Sequence, residues 1–183
     1  MVNDPNFEVG ERCRALRREQ KLTLAALARV VGLSKGHLSR FERGEKTLSL
    51  AALLRIAEAL DVSVGTLCDG ADPSGELTIS HAGGTKPTPM SDEPTAATYR
   101  VLGGSGRHQT LLISIPAHCK TPEPAQHAGR ESLYVLSGSI LLSIDGDHHP
   151  LNAGDYAEFD ARSPHVLTGK EEPSEVLLTS IPD

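Results

Sequence analysis

Tryptophan is absent from this 183-residue chain, and three Phe and three Tyr are its whole aromatic supply. An apolar content of 38% is enough for a core, but that core must be built mainly from Leu, Ile, Val and Ala. No apolar run approaches the roughly 18 residues that a membrane-spanning helix needs, so no membrane partner is expected. The N-terminal stretch MVNDPNFEVGERC has no basic segment followed by an apolar one, so it is not expected to act as a secretory signal. Cysteine is scarce too: Cys13, Cys68 and Cys119 are odd in number, far apart and in no CxxC arrangement. That favours free thiols in a reducing compartment, hence a cytoplasmic protein, over a disulfide framework.

A net charge of −6 argues at first against a polyanionic partner. Its distribution removes the objection. Residues 1–70 carry 11 Lys/Arg against 9 Asp/Glu, whereas residues 71–183 carry 7 against 15. The acidic excess belongs to the second part, and the first part concentrates its positive charge in clusters.

The first part reads as helices. Val9, Cys13 and Leu16 recur at spacings of four and three, predicting a helix over Val9 to Glu19 with Arg12, Arg14, Arg17 and Arg18 on a solvated surface around that stripe. Thr23 is placed to cap a second helix carrying Leu24, Leu27, Ala28 and Val31. Gly32 supplies the turn, Ser34 caps a third helix with Leu38 and Phe41 inward, and Gly44 ends it. Lys35, Gly36, His37, Ser39 and Arg40 are left pointing outward. Ser49 caps a fourth helix striped by Leu50, Leu53, Ile56, Ala57 and Leu60, and a last short element holds Val64 and Leu67.

The stretch LTLAALARVVGLSKGHLSRFERGE, followed by SLAALLRIAEALDVSVGTL, resembles the Cro/phage-repressor (Xre) type of helix-turn-helix, a five-helix bundle, over Val9 to Asp69. Leu48 stands where that family usually has Pro. The resemblance implies a double-stranded DNA operator as partner, with the second helix of the motif in the major groove. It implies that Lys35 donates to guanine O6/N7 and that His37 or Ser39 meets another base edge. Arg40 and Arg43 would serve base edges or phosphates, Thr23 and Ser34 lie at helix starts suited to phosphates, and Gly36 lets the backbone approach the groove.

From Asp69 to about Thr95 Gly, Pro, Ser and Asp dominate, and helical periodicity is lost. The expected division is residues 1–70 as DNA-binding domain, 71–95 as linker and 96–183 as a β domain. Glu76 to Ser80 alternates and is a candidate strand. Further strands are expected at Thr98–Leu102, Thr110–Pro116, Ser132–Leu136, Ser139–Ile144, Tyr156–Phe159 and Glu175–Ile181, with a hairpin signal at Asp145-Gly146 leading to a short segment around Leu151. Many short strands at close spacing suggest a sandwich or small barrel.

His127-Ala-Gly-Arg-Glu131, Tyr134-Val-Leu-Ser-Gly138, Leu151-Asn-Ala-Gly154-Asp155 and Ser163-Pro164-His165 resemble the motifs of the cupin jelly-roll barrel. By that resemblance His127, Glu131 and His165 stand at metal-ligand positions, while Ala125 occupies the first His position and Gly169 replaces a frequent Asn. Three remaining ligands suit one divalent metal, Fe, Zn, Mn or Ni. The other reading is a degenerate barrel in which the same residues only hydrogen-bond. His148 and His149 read as hairpin-surface residues, and His118 is open. The barrel mouth is a natural small-ligand pocket.

Together the two resemblances imply a transcriptional regulator, not an enzyme: a homodimer whose cupin domain senses a small-molecule effector. The alternative is a mononuclear metal (Fe) cupin enzyme of the epoxidase/oxygenase kind using His127, Glu131 and His165. A third reading, an antitoxin-like or structural DNA-binding partner whose barrel only dimerises, would be favoured by a barrel without a pocket.

Overall fold

The computed structural model describes residues 5–69, 79–84, 86–104, 108–119 and 124–181. Five helices come first: α1 (Pro5–Glu19), α2 (Leu24–Val30), α3 (Lys35–Glu42), α4 (Leu50–Ala59) and α5 (Val64–Asp69). The side chains of Thr23, Ser34 and Ser49 accept from the backbone N–H groups of Ala26, His37 and Ala52, so each cap satisfies a donor that its helix leaves unpaired. Gly32, with φ of 70°, takes the left-handed conformation that turns the chain from α2 into α3. Gly10 of α1 lies so close to α3 that a Cβ there would stand 2.1 Å from the Phe41 carbonyl oxygen.

Among the described residues nine strands follow: β1 (Thr88–Pro89), β2 (Thr98–Gly103), β3 (Gln109–Ile115), β4 (Arg130–Ser137), β5 (Ser139–Ile144), β6 (Asp147–Asn152), β7 (Tyr156–Asp160), β8 (His165–Gly169) and β9 (Ser174–Ile181). They form two antiparallel sheets, ordered β1-β2-β3-β9-β4-β7 and β6-β5-β8. This is the jelly roll, realised as two facing sheets. Burial alternates strictly along β3, and Leu111, Ile113 and Ile115 turn inward to meet Val176 and Leu178 of β9 and Ile140 and Leu142 of β5. Asp145 and Gly146, at φ of 50° and 91°, make the β5–β6 hairpin turn.

The expected strands are present, Ser139–Ile144 with the same ends and the others with ends shifted by one or two residues, and β1 and β8 are additional. The candidate strand from Glu76 falls largely outside the described residues. Arg17 departs from its expected place on a solvated surface. It is buried, and pairs with Glu42 of α3. Arg12 is also engaged, donating to the carbonyls of Leu67 and Cys68. No described helix is long and apolar enough to cross a membrane, and all three cysteines are buried thiols outside any disulfide.

The helical and β parts share one continuous core cluster. Polar contacts join them as well: Gly65 N–H donates to Gln109 Oε1 at 3.2 Å, and Lys46 Nζ pairs with Asp92 at 2.6 Å.

Candidate functional site

Two sets of residues carry chemistry. The first is the outer face of α3. Leu38, Phe41 and Glu42 are buried, which turns the opposite side of this eight-residue helix to solvent. Ser34, Lys35, Gly36, Arg40 and Arg43 are exposed, while His37 and Ser39 are half-buried; Thr23, at the start of α2, is exposed. Arg43 is engaged: its guanidinium pairs with Glu45 through Nε–Oε1 at 2.6 Å and Nη2–Oε2 at 2.8 Å, and Nη1 donates to Ser39 Oγ at 2.5 Å. Lys35 and Arg40 thus lead the exposed positive charge of α3.

The second set lies at one end of the β domain. Glu131 is the second residue of β4, where the strand's alternation turns it inward, and His165 opens β8. His127 precedes β4 and is held by its N–H donating to Ala161 O at 3.0 Å. Ala125, at the position of the absent first His, exchanges two backbone hydrogen bonds with His165 and lines the pocket beside it. His127, Glu131 and His165 are 7%, 2% and 4% exposed. Their ligating atoms all lie within 4.8 Å of one another. His127 Nε2 is 2.9 Å from Glu131 Oε1, and His165 Nε2 is 3.4 Å from Glu131 Oε2.

The outer hydrogen bonds fix the chemistry of these imidazoles. His127 Nδ1 meets the Ala128 carbonyl at 3.0 Å, and His165 Nδ1 meets the Ser163 carbonyl at 2.9 Å. A carbonyl only accepts, so each Nδ1 carries the proton. In a neutral ring Nε2 is then a bare lone pair aimed at a carboxylate, which is repulsive unless a proton or a cation stands between. A set of two Nε2 lone pairs and one carboxylate, each ring oriented by a backbone carbonyl, fits a divalent metal. Without metal, a proton on His127 relieves the repulsion at that ring. Burial works to lower the His127 pKa, but its hydrogen bond to Glu131 and that residue's charge outweigh it and raise it. Burial likewise works to raise the Glu131 carboxyl, yet the hydrogen bonds from His127 and His165 hold it below its ordinary value. His118, His148 and His149 are exposed and lie apart from the cluster.

A pocket with a cavity volume of about 70 Å³, open to solvent at its mouth, rises from this cluster. Ile113, Ile115, Leu167 and Leu178, from strands of both sheets, line it together with Ser49, Leu50, Ala51 and Leu54 of the α4 region. No sequence motif points to α4 as part of a site. One signal was present: LAALLRIAEA is apolar on almost every face, and such a helix is covered on more than one side.

Residues 14–67 match the family model described as Helix-turn-helix, and residues 111–180 match the one described as Cupin domain. The chain is 25% identical over 158 residues to the HTH-type transcriptional regulator SutR of Escherichia coli strain K12, covering 84% of this chain and 82% of that protein. Among solved structures it is similar to an HTH_3 family transcriptional regulator from Vibrio cholerae, at 22% identity and TM-score 0.73 over 97% of both chains. It is also similar to the hydroxypropylphosphonic acid epoxidase from S. wedmorenis, at 22% identity and TM-score 0.50 over 96% of this chain and 98% of that one. At these identities the two structures speak for the fold.

Proposed function

We propose that this chain, which combines a helix-turn-helix domain with a cupin domain, is a sequence-specific DNA-binding transcriptional regulator whose cupin domain senses a small-molecule effector. The observation that carries the reading is α3, buried through Leu38 and Phe41 and exposing Lys35 and Arg40 on the side that a major groove would meet. The long similarity to SutR, which spans both domains, supports it.

In this reading Lys35 and Arg40 read base edges, with His37, Ser39 and Gly36 at the same surface. Arg43 exchanges Glu45 for phosphate or a base, and Thr23 and Ser34 contact the backbone of the duplex. The domains divide at residues 1–70 and 96–183, with 71–95 between them. Two copies bind as a homodimer, on half-sites spaced by about one helical turn. The protein works in the cytoplasm, where its three cysteine thiols stay reduced. His127, Glu131 and His165 would hold one divalent metal, Fe, Zn, Mn or Ni, which when bound would act as a Lewis acid toward an oxygen donor of the effector. The pocket above them argues against a barrel that only dimerises.

Selection of genomic fragments by the full chain, with a salt titration of the winners, tests the reading. It expects an enriched two-fold sequence and an affinity that falls steeply with salt; no enriched sequence overturns it.

The same three ligands favour a second reading, a mononuclear iron cupin enzyme of the epoxidase/oxygenase kind. Metal analysis of untagged protein decides its fate, since fewer than stoichiometric Fe, Mn, Zn or Ni removes it.

A further inference from the structure

The pocket over His127, Glu131 and His165 is walled in part by the helical domain. Leu50, Ala51 and Leu54 face it from α4. At 100° per residue these three lie on one side of the helix, roughly 120° away from the side carrying Leu53, Ile56 and Leu60. α4 therefore has two apolar faces, one for its own bundle and one for the β domain. Arg55 of the same helix reinforces the junction. Its Nε donates to the carbonyl of Val31 at 3.0 Å, at the end of α2 and beside the turn into α3, and its Nη1 donates to Gln126 O at 3.1 Å, next to His127. One side chain thus ties the helix-turn-helix to the segment that carries a candidate ligand.

The lining also constrains what binds. Walls of Leu, Ile and Ala suit an apolar body. Glu131 contributes one negative charge, so a divalent cation held by it and two neutral imidazoles leaves one net positive charge in apolar surroundings. A buried excess of positive charge is costly until an anion neutralises it.

We propose that the pocket takes a small amphiphile, an apolar body with one monoanionic oxygen-donor head, and that both domains hold it together, so that α4 and Arg55 transmit its binding to α3. The head meets the metal end, and the body packs against Leu50, Ala51 and Leu54. The transmission rests on the regulator reading; the shared pocket does not. A ligand shifts DNA affinity only as far as it favours one arrangement of the two domains over the other.

Full-length protein loaded with Co(II) provides the assay, with straight-chain alkanoates from butanoate to decanoate as probes and the matching alkylamines as controls. Alkanoates are expected to change the Co(II) absorption saturably, with an optimum chain length, and amines to leave it unchanged. Ala51→Phe, which fills the pocket from the helical side, is expected to keep Co(II) affinity and weaken alkanoate binding by about tenfold or more. Leu54→Ala enlarges the pocket and is expected to move the optimum to a longer chain, which keeps the test decisive if the Phe variant fails to fold. Saturating alkanoate is expected to shift operator affinity by about fivefold or more in the wild type and less in Arg55→Gln. Alkanoates without effect on Co(II), amines that bind equally well, or Leu54→Ala with an unchanged optimum overturn the pocket assignment. Operator affinity that ignores a bound alkanoate overturns the transmission alone. Failure to find an operator overturns the regulator reading and leaves the absorption result standing.

Discussion

Arg17 of α1 and Glu42 of α3 form a buried two-point ion pair, Nε to Oε1 at 2.6 Å and Nη2 to Oε2 at 2.8 Å, and Arg17 Nη1 also donates to the Leu22 carbonyl at 2.8 Å. The pair fixes the last residue of α3 against α1, and so fixes the helix whose other side carries Lys35 and Arg40. Removing one partner leaves a buried charge uncompensated. Arg17→Met or Glu42→Leu is therefore expected to cost about 3–5 kcal/mol, whereas the double variant costs much less because neither charge remains. Urea unfolding of the three variants checks this, with a large favourable coupling as the expected outcome.

The same helix pair depends on Gly10. A methyl group there would sit 2.1 Å from the Phe41 carbonyl oxygen, which is backbone and has no rotamer in which to retreat. Gly10→Ala is expected to push α1 from α3 and to destabilise by about 1–3 kcal/mol, despite alanine's better helix propensity. Thermal melts measure the cost.

Cys13 lies in the same core. Burial foremost, with Glu42 adding and Arg17 opposing, pushes its thiol up to about 12. The thiolate is the reactive form, so Cys13 should resist alkylation by iodoacetamide near pH 8 in folded protein and react once urea is added. Mass mapping of the labelled cysteines reads the result.

The His127–Glu131 pair makes a pH-dependent prediction for chelator-treated protein. Glu131 has a lowered pKa, so its contribution is present above the ordinary carboxylate range and is lost as pH falls through the lowered folded value. His127 has a raised pKa, so its contribution is fully present below the ordinary imidazole value and is lost as pH rises through the raised one. Metal-free stability should therefore peak between the two, in mildly acidic solution. Metal requires the neutral imidazole, so divalent-metal affinity should rise with pH across the His127 titration, with proton release on binding. Glu131→Gln should lower that affinity by at least the 10–100-fold, roughly, that losing even an outer partner of a ligand costs. Calorimetry in buffers of different ionisation heat measures both.

Much of the helical half was legible because its punctuation is local. Thr23, Ser34 and Ser49 cap the helices they precede, and Gly32 turns where a residue free to take positive φ was wanted. The strands of the larger sheet declared themselves through alternating burial, as in Gln109–Ile115. β6 was less legible: DHHPLN is an edge strand, exposed along most of its length and carrying Pro150, so no apolar rhythm marks it. β8 begins at the motif histidine and was hidden by it. The three residues His127, Glu131 and His165, gathered in space here, were visible only through their resemblance to a family pattern. The burial of Arg17 was hidden for a different reason. An arginine among other arginines on a helix reads as surface until its partner, 25 residues later, is in view. The α4 wall of the pocket was illegible in the same way, since it depends on how two parts of the chain pack together.

The most direct test of the central claim compares wild type with Lys35→Ala/Arg40→Ala on the selected operator by fluorescence anisotropy at several salt concentrations, with thermal melts to show that both are folded. Each lost base-edge contact is worth about 1–3 kcal/mol and each lost phosphate contact lowers the salt slope by about one. A DNA-reading α3 predicts a folded double variant with at least about tenfold weaker operator binding and a larger loss on the operator than on unrelated duplex. Equal affinity and equal salt dependence in the two proteins would contradict it.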